Sequence, residues 1–336
     1  MLSKQLELID EQTSPLFRLM WISNPAEPFR RTFDNNICAF HIGGGYILSV
    51  AHNLRTDPTI FRSIDQALYT AEMLPFFNQQ QVQLFENYYP LDLLTNKRYL
   101  NIIDPVEIQN IVTLLKQINF DTRWLTLSQK NICNPYLIVQ FKNNQFYNDP
   151  GLTAHFNHSN YFHEPALSRH TYLLETELVE AFYSEDIALY KLKNIHPDII
   201  NRLPSIKPDF TIKPDNQTDY YCLQSSPGNE LGRLLNKAQI EGYLDNYENF
   251  IDNIGGNYIF EGLRYLIKGY FRFGSSGAPY IYYDEEQFKV NAIQSQACPI
   301  QLSIHGNMDG NFQYVNAIAS PLSIIEEKLK AHIAGA

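Results

Sequence analysis

Three short segments of this chain hold side chains that together serve one kind of chemistry. Ser49-Val50-Ala51-His52 ends an apolar run on an imidazole, Asp186 opens the apolar run Ile187-Ala188-Leu189-Tyr190, and Ser276 lies within Gly274-Ser275-Ser276-Gly277-Ala278-Pro279. A serine hydroxyl is a weak nucleophile at neutral pH and needs an adjacent base. Imidazole suits that role because its ordinary pKa is about 6.5. A carboxylate behind it fixes its tautomer and stabilises its charged form. A tetrahedral intermediate formed at the serine also needs donors for its oxyanion, and glycine beside the nucleophile lets the backbone turn N–H groups toward one point. Each residue alone has an ordinary explanation: a histidine ending a strand, an aspartate in a turn, a Gly-Ser-Ser-Gly loop.

The elements that must position these residues follow from the hydrophobic pattern. Short apolar runs broken by Gly, Pro and Asn predict strands over LFRLMWIS, NICAFHIGG and YILSVAH, and again over YLIVQF (136–141), TYLLETELVEAFY and DIALYKL. From about 56 to 165 the pattern changes. Ser63 caps a predicted helix SIDQALYTAEML, and Pro105 opens VEIQNIVTLLKQI, whose Ile108, Ile111, Leu114, Leu115 and Ile118 repeat at helical spacing. Residues 194–219 hold four prolines and read as a connector. Strands resume over YYCLQSS, RLLNKAQIEGYL, PYIYY, KVNAIQSQ and YVNAIAS, and a final helix is predicted with Ser320 as its cap and Pro321 in its first turn.

Composition narrows the function classes. With 336 residues, 44% apolar and 18% charged, the chain can bury a substantial core, and disorder is not expected. The 22 Tyr and 21 Phe lean toward β structure. A net charge of −10 argues against the phosphate backbone of nucleic acid as a partner. Absence of a long apolar run argues against a membrane span. The start MLSKQLELIDEQ has no apolar signal core. Cys38, Cys133, Cys222 and Cys298 are widely scattered, which suits reduced thiols and a cytoplasmic location. His155, His158 and His163, with Glu164 and His170, could gather a metal, but a polar loop of solvated histidines is the preferred reading, so no metal or cofactor is expected.

The three chemical segments together resemble the trypsin/chymotrypsin-like serine protease family, which carries T-A-A-H at its base, D-I-A-L-L at its acid and G-D-S-G-G-P at its nucleophile, in this chain order. The stretch Val290-Asn291-Ala292-Ile293-Gln294-Ser295-Gln296-Ala297 is similar to the family's substrate-pairing strand, and Tyr314-Val315 to its last barrel strand. The resemblance covers roughly 13–55 and 165–333. It implies a mainly β fold of two antiparallel six-stranded barrels, with a mostly helical insertion at about 56–165 and a C-terminal helix. The expected division is an N-terminal barrel over 1–193, a linker over 194–219 and a C-terminal barrel with the helix over 220–336. It further implies peptide-bond hydrolysis through an acyl-enzyme. His52 would act as base then acid, Asp186 would orient it, Ser276 would attack, and the N–H groups of Gly274 and Ser276 would hold the oxyanion. Tyr270 and Arg272 would lie in the specificity pocket, with Ser295 and Ala297 pairing to the substrate backbone through main-chain groups.

Departures from the family carry expectations of their own. Cysteines remain where the family has disulfide halves, while Asn53, Tyr282 and Arg272 stand at the expected partner positions. Ser275 replaces the aspartate that pairs with a newly cut N-terminus in the family's zymogens, so no such activation is expected. His52 and Asp186 lie 134 positions apart, well beyond the family's spacing, and the added segment reads either as a surface for a regulatory protein or as a decorative subdomain. A bacterial effector or defence protease would fit these traits. The alternative function is a catalytically silent protease-like binding or scaffold module.

Overall fold

The computed structural model describes residues 14–22, 33–54, 134–140, 171–211, 219–226, 229–253, 256–271, 274–284, 287–298 and 314–334, with isolated positions between 78 and 117. Six strands form the first barrel: β1 (Leu16–Ile22), β2 (Phe33–His41), β3 (Tyr46–Ser49), β4 (Tyr136–Gln140), β5 (Thr171–Phe182) and β6 (Ile187–Leu192). They pair antiparallel in the closed order β1-β2-β3-β6-β5-β4. Closure covers one face of every strand with the barrel core. On β1 the second face is covered as well: Leu16, Phe17, Leu19, Met20 and Trp21 are all buried, which explains why its apolar residues do not alternate. Gly43, Gly44 and Gly45 all take positive φ in the β2–β3 turn, a conformation that would strain residues bearing a Cβ.

A second sheet follows. It contains β7 (Lys207–Pro208), β8 (Tyr220–Ser226), β9 (Asn229–Asn253), β10 (Gly256–Phe271), β11 (Pro279–Tyr283), β12 (Phe288–Cys298) and β13 (Tyr314–Pro321). Its order is β11-β8-β9-β10-β13-β12-β7, and β11 also pairs with β12, so six of the strands meet in a ring with β7 added at its side. The architecture is therefore mainly β, with a closed six-stranded antiparallel barrel, a second sheet and a C-terminal helix. One continuous apolar cluster, including Phe40, Tyr190, Phe260, Tyr265 and Tyr280, runs through both halves.

Several expectations shift in detail. Tyr136–Gln140 pairs with β1 and β5, so the segment read as an insertion carries a barrel strand within it. Of the two helices predicted there, positions 113 and 117 of the second are helical, and nearly all the rest lies outside the described residues. The 194–219 connector contains a short helix α1 (Pro197–Arg202), and Ile206 N–H donates to His41 O at 2.9 Å. Ser320 does not cap the final helix. Its backbone belongs to β13, opposite Ile293, and a 3-10 turn over Leu322–Ile325 separates it from α2 (Glu326–Ala334). Cys38 and Cys222 are free and buried. Opposite Cys222 in the ladder stands Tyr280 rather than Tyr282, and burial raises the Cys222 pKa well above its ordinary value, which makes it an unreactive thiol.

Candidate active site

His52 and Asp186 meet because β3 and β6 are neighbours. Ser49 pairs with Ala188 at one end of that ladder, and both chains turn just beyond it. After Ser49 the chain folds into a short turn closed by Leu54 N–H to Ala51 O at 3.0 Å. On the other side Asp186 ends a turn in which its N–H donates to Tyr183 O at 3.1 Å. Its φ of 59° lies in the left-handed region, which Asp tolerates better than most residues. Both side chains are thereby delivered to the same edge of the barrel.

The Asp186 carboxylate is fully buried and receives hydrogen bonds at both oxygens. Oδ1 accepts the N–H groups of Ala51 at 3.1 Å and His52 at 2.9 Å. Oδ2 accepts His52 Nδ1 at 2.8 Å and the hydroxyl of Ser295. A buried carboxylate is tolerated only when compensated in this way. Since an ionised carboxylate only accepts, Nδ1 carries the proton of this bond, and Nε2 of the neutral ring is left as the acceptor. The Phe260 ring lies 6.5 Å from the imidazole, centroid to centroid.

Arg264 braces the Asp186 turn from the second sheet. It is fully buried and donates to the carbonyls of Ser184 at 2.5 Å, Leu263 at 2.9 Å and Glu261 at 3.1 Å. Glu261 N–H also donates to Ser184 O at 2.9 Å. Burial lowers the guanidinium pKa, and the nearby Asp186 charge works in the opposite direction.

The Ser276 turn is held by its carbonyls. Gly274 O accepts Arg18 Nη1 at 2.8 Å and Cys38 Sγ at 3.4 Å. Ser275 O accepts Ala278 N–H at 2.9 Å, and Ser276 O accepts Cys38 N–H at 2.9 Å. Three successive carbonyls are thus engaged, while neither Gly274 N–H nor Ser276 N–H donates to any described residue. Gly277 N–H then joins Gln294 O at 2.9 Å, and Gln294 N–H joins Ala278 O at 2.8 Å, which docks the turn onto β12. Gly277, with φ of 84°, packs so closely that a Cβ would stand 1.9 Å from Cys38 O and 2.6 Å from Ser49 Oγ. The Ser49 hydroxyl itself donates to Cys38 O at 2.7 Å, so the Ser276 turn and the strand leading to His52 share one anchor.

The structure thus joins His52 to Asp186 directly and fastens the Ser276 turn to the barrel that carries them. Among the described residues no hydrogen bond runs from Ser276 Oγ to His52. Ser295 lies on β12 as expected, and its side chain engages Asp186, a contact the reading of main-chain pairing did not include. Ala297 lies on the same strand and Tyr270 on β10. Arg272 and the histidines from His155 to His170 lie outside the described residues. Sequence reasoning missed Arg18 and Arg264. The available signal was a single cation within an otherwise apolar strand run, as in Leu16-Phe17-Arg18-Leu19-Met20.

No protein-family model matches the chain, and no curated protein matches it in sequence. Among solved structures, the active form of the Rv3671c protease from M. tuberculosis aligns with a TM-score of 0.44 at 10% identity, over 96% of this chain and 82% of that one. The MamO protease domain from Magnetospirillum magneticum aligns with a TM-score of 0.43 at 8% identity, over 96% and 98% of the two chains. The HtrA-type protease AlgW with a decapeptide aligns with a TM-score of 0.44 at 9% identity, over 98% of this chain and 67% of that one.

Proposed function

We propose that this protein is a serine endopeptidase that cleaves protein or peptide substrates through Ser276, His52 and Asp186. The observation that carries the reading is the His52 Nδ1 to Asp186 bond of 2.8 Å at the barrel edge onto which the Ser276 turn is fastened. His52 Nε2 would take the Ser276 proton as the hydroxyl attacks the scissile carbonyl, and Asp186 would hold the imidazole in the tautomer that leaves Nε2 free. The N–H groups of Gly274 and Ser276 would take the oxyanion. His52 would then protonate the leaving amine, and water would release the acyl group by the reverse sequence. Ser295 and Ala297 would align the substrate backbone beside β12 as an added strand, with Tyr270 and Arg272 bordering its side-chain pocket.

Ser275 bears no charge for a cut N-terminus to pair with, which supports activity without zymogen-type processing. The long segment between His52 and Asp186 is proposed as the surface for a regulatory protein. Its test must keep β4, so the variant to make replaces 56–130 with a short linker. Unchanged activity and cleavage profile in that variant would remove the regulatory reading.

The direct test of the reaction is a fluorophosphonate probe followed by peptide mass spectrometry. Labelling at Ser276, lost in Ser276→Ala and His52→Ala, is the expected result. A folded protein that never reacts would favour the silent binding module. An unbiased cleavage-site profile would then define the substrate.

A further inference from the structure

We propose that Arg18 is a positioning residue for the oxyanion site, holding the Gly274–Ser276 turn in its reactive shape from the opposite barrel. This inference rests on the serine endopeptidase reading. Arg18 belongs to β1 and is 3% exposed. Burying a guanidinium is costly unless its donors are used. In the ladder it stands directly opposite Cys38, so both side chains leave the same face of the barrel. Arg18 Nη1 reaches Cys38 Sγ at 3.1 Å and Gly274 O at 2.8 Å, bridging 256 positions of sequence.

That carbonyl is a telling place to grip. Gly274 has φ of 86° and, lacking a Cβ, could turn its peptide over at little cost. That peptide, whose own N–H belongs to Ser275, lies between the Gly274 and Ser276 N–H groups, so its orientation sets whether those two flanking donors converge on the oxyanion. Ser276 O is held by Cys38 N–H and Ser275 O by Ala278 N–H, both neutral donors. At Gly274 the donor is charged, and charge-assisted bonds are about twice as strong as neutral ones. Arg18 therefore pins the one peptide of the turn that glycine leaves free, and it does so without a charge at position 275 or a newly cut chain end.

The test compares wild type with Arg18→Met and Arg18→Lys on a peptide taken from the cleavage profile. It also measures inhibition by that peptide's aldehyde, which forms an oxyanion on attack by Ser276, and by the corresponding peptide alcohol, which has no carbonyl and forms none. Arg18→Met is expected to lower kcat roughly 30-fold with KM nearly unchanged, less than the factor of 10²–10³ lost when an oxyanion donor is removed outright. Aldehyde inhibition should weaken in parallel while inhibition by the alcohol stays level. Arg18→Lys should fall between, since a point charge reproduces only part of the guanidinium's reach. Should Arg18→Met not fold, Arg18→Lys decides on the same readouts. A folded variant with wild-type kcat, or one whose loss lies in KM, overturns the inference while leaving the enzyme reading intact. A folded wild type that neither reacts with fluorophosphonate nor cleaves any peptide overturns both.

Discussion

The hydroxyl of Ser295 donates to Oδ2 of Asp186, the same oxygen that holds His52 Nδ1. Ser295 comes from the second sheet and Asp186 from the first barrel, so the carboxylate is oriented from both sides. Ser295→Ala removes one of its donors and leaves those from Ala51 and His52 in place. Since a hydrogen bond to a charged group contributes about 1.5–3 kcal/mol, kcat/KM should fall by roughly 10- to 150-fold. Steady-state assay on a defined peptide decides, and an unchanged rate would make the contact incidental.

Asp186→Asn should be far more damaging. The amide can present an N–H where Oδ2 now accepts, which favours the imidazole tautomer with its proton on Nε2. That places a donor where the proposed mechanism needs a base, and a loss in kcat of roughly 10³–10⁴ is expected. Circular dichroism should show a folded protein, because the side chain keeps its shape.

Gly277 and Gly43 separate two costs of adding a methyl group. At Gly43 a Cβ meets nothing within 4 Å, so Gly43→Ala should cost only backbone strain, about 1–2 kcal/mol. At Gly277 the Cβ would strike the Cys38 carbonyl at 1.9 Å, and neither backbone can yield without breaking the turn. Gly277→Ala should destabilise by more than about 4 kcal/mol or fail to fold. Urea unfolding of both variants measures the difference.

His41 predicts a pH dependence of stability. Its Nε2 accepts Gly45 N–H at 3.0 Å and its Nδ1 donates to Pro204 O at 3.1 Å, an arrangement that requires the neutral ring. Burial lowers its pKa, and the backbone carbonyls of Pro204 and Leu203 only partly oppose this. As pH falls through about 6.5 the unfolded chain binds a proton that the folded chain resists, so stability declines on acidification. The melting temperature of wild type should drop between about pH 7.5 and about pH 5.5 by more than that of His41→Gln, which has no ring to titrate. Equal slopes would refute this role.

The meeting of His52 with Asp186 was legible because the motifs around the two residues are short and distinctive, and the strands that carry them are plain apolar runs. β10 was not foreseen. Its pairing with β9 passes from Arg264 opposite Leu244 to Gly262 opposite Tyr247, leaving Leu263 without a ladder partner, so the period of two that announces a strand is interrupted in its middle. Arg264 sits fully buried in its middle, where local pattern alone predicts an exposed cation. Ser320 and Pro321 read as a helix start by local rule, yet their pairing with Ile293 and Ala292 commits them to β13. In each case a partner distant in sequence overrides a local preference.

The grip of β1 and β2 on Gly274 and Ser276 also sets when the turn can take shape. Its anchors and its hydroxyl are far apart in sequence, with Cys38 and Gly274 separated by 236 positions. During synthesis, Arg18 and Cys38 have nothing to hold until Gly274–Ser276 has left the ribosome, and contacts so far apart in sequence form slowly. The first barrel has its last strand by Leu192, and the anchors it offers the Ser276 turn wait a further 82 residues, to Gly274, for anything to hold.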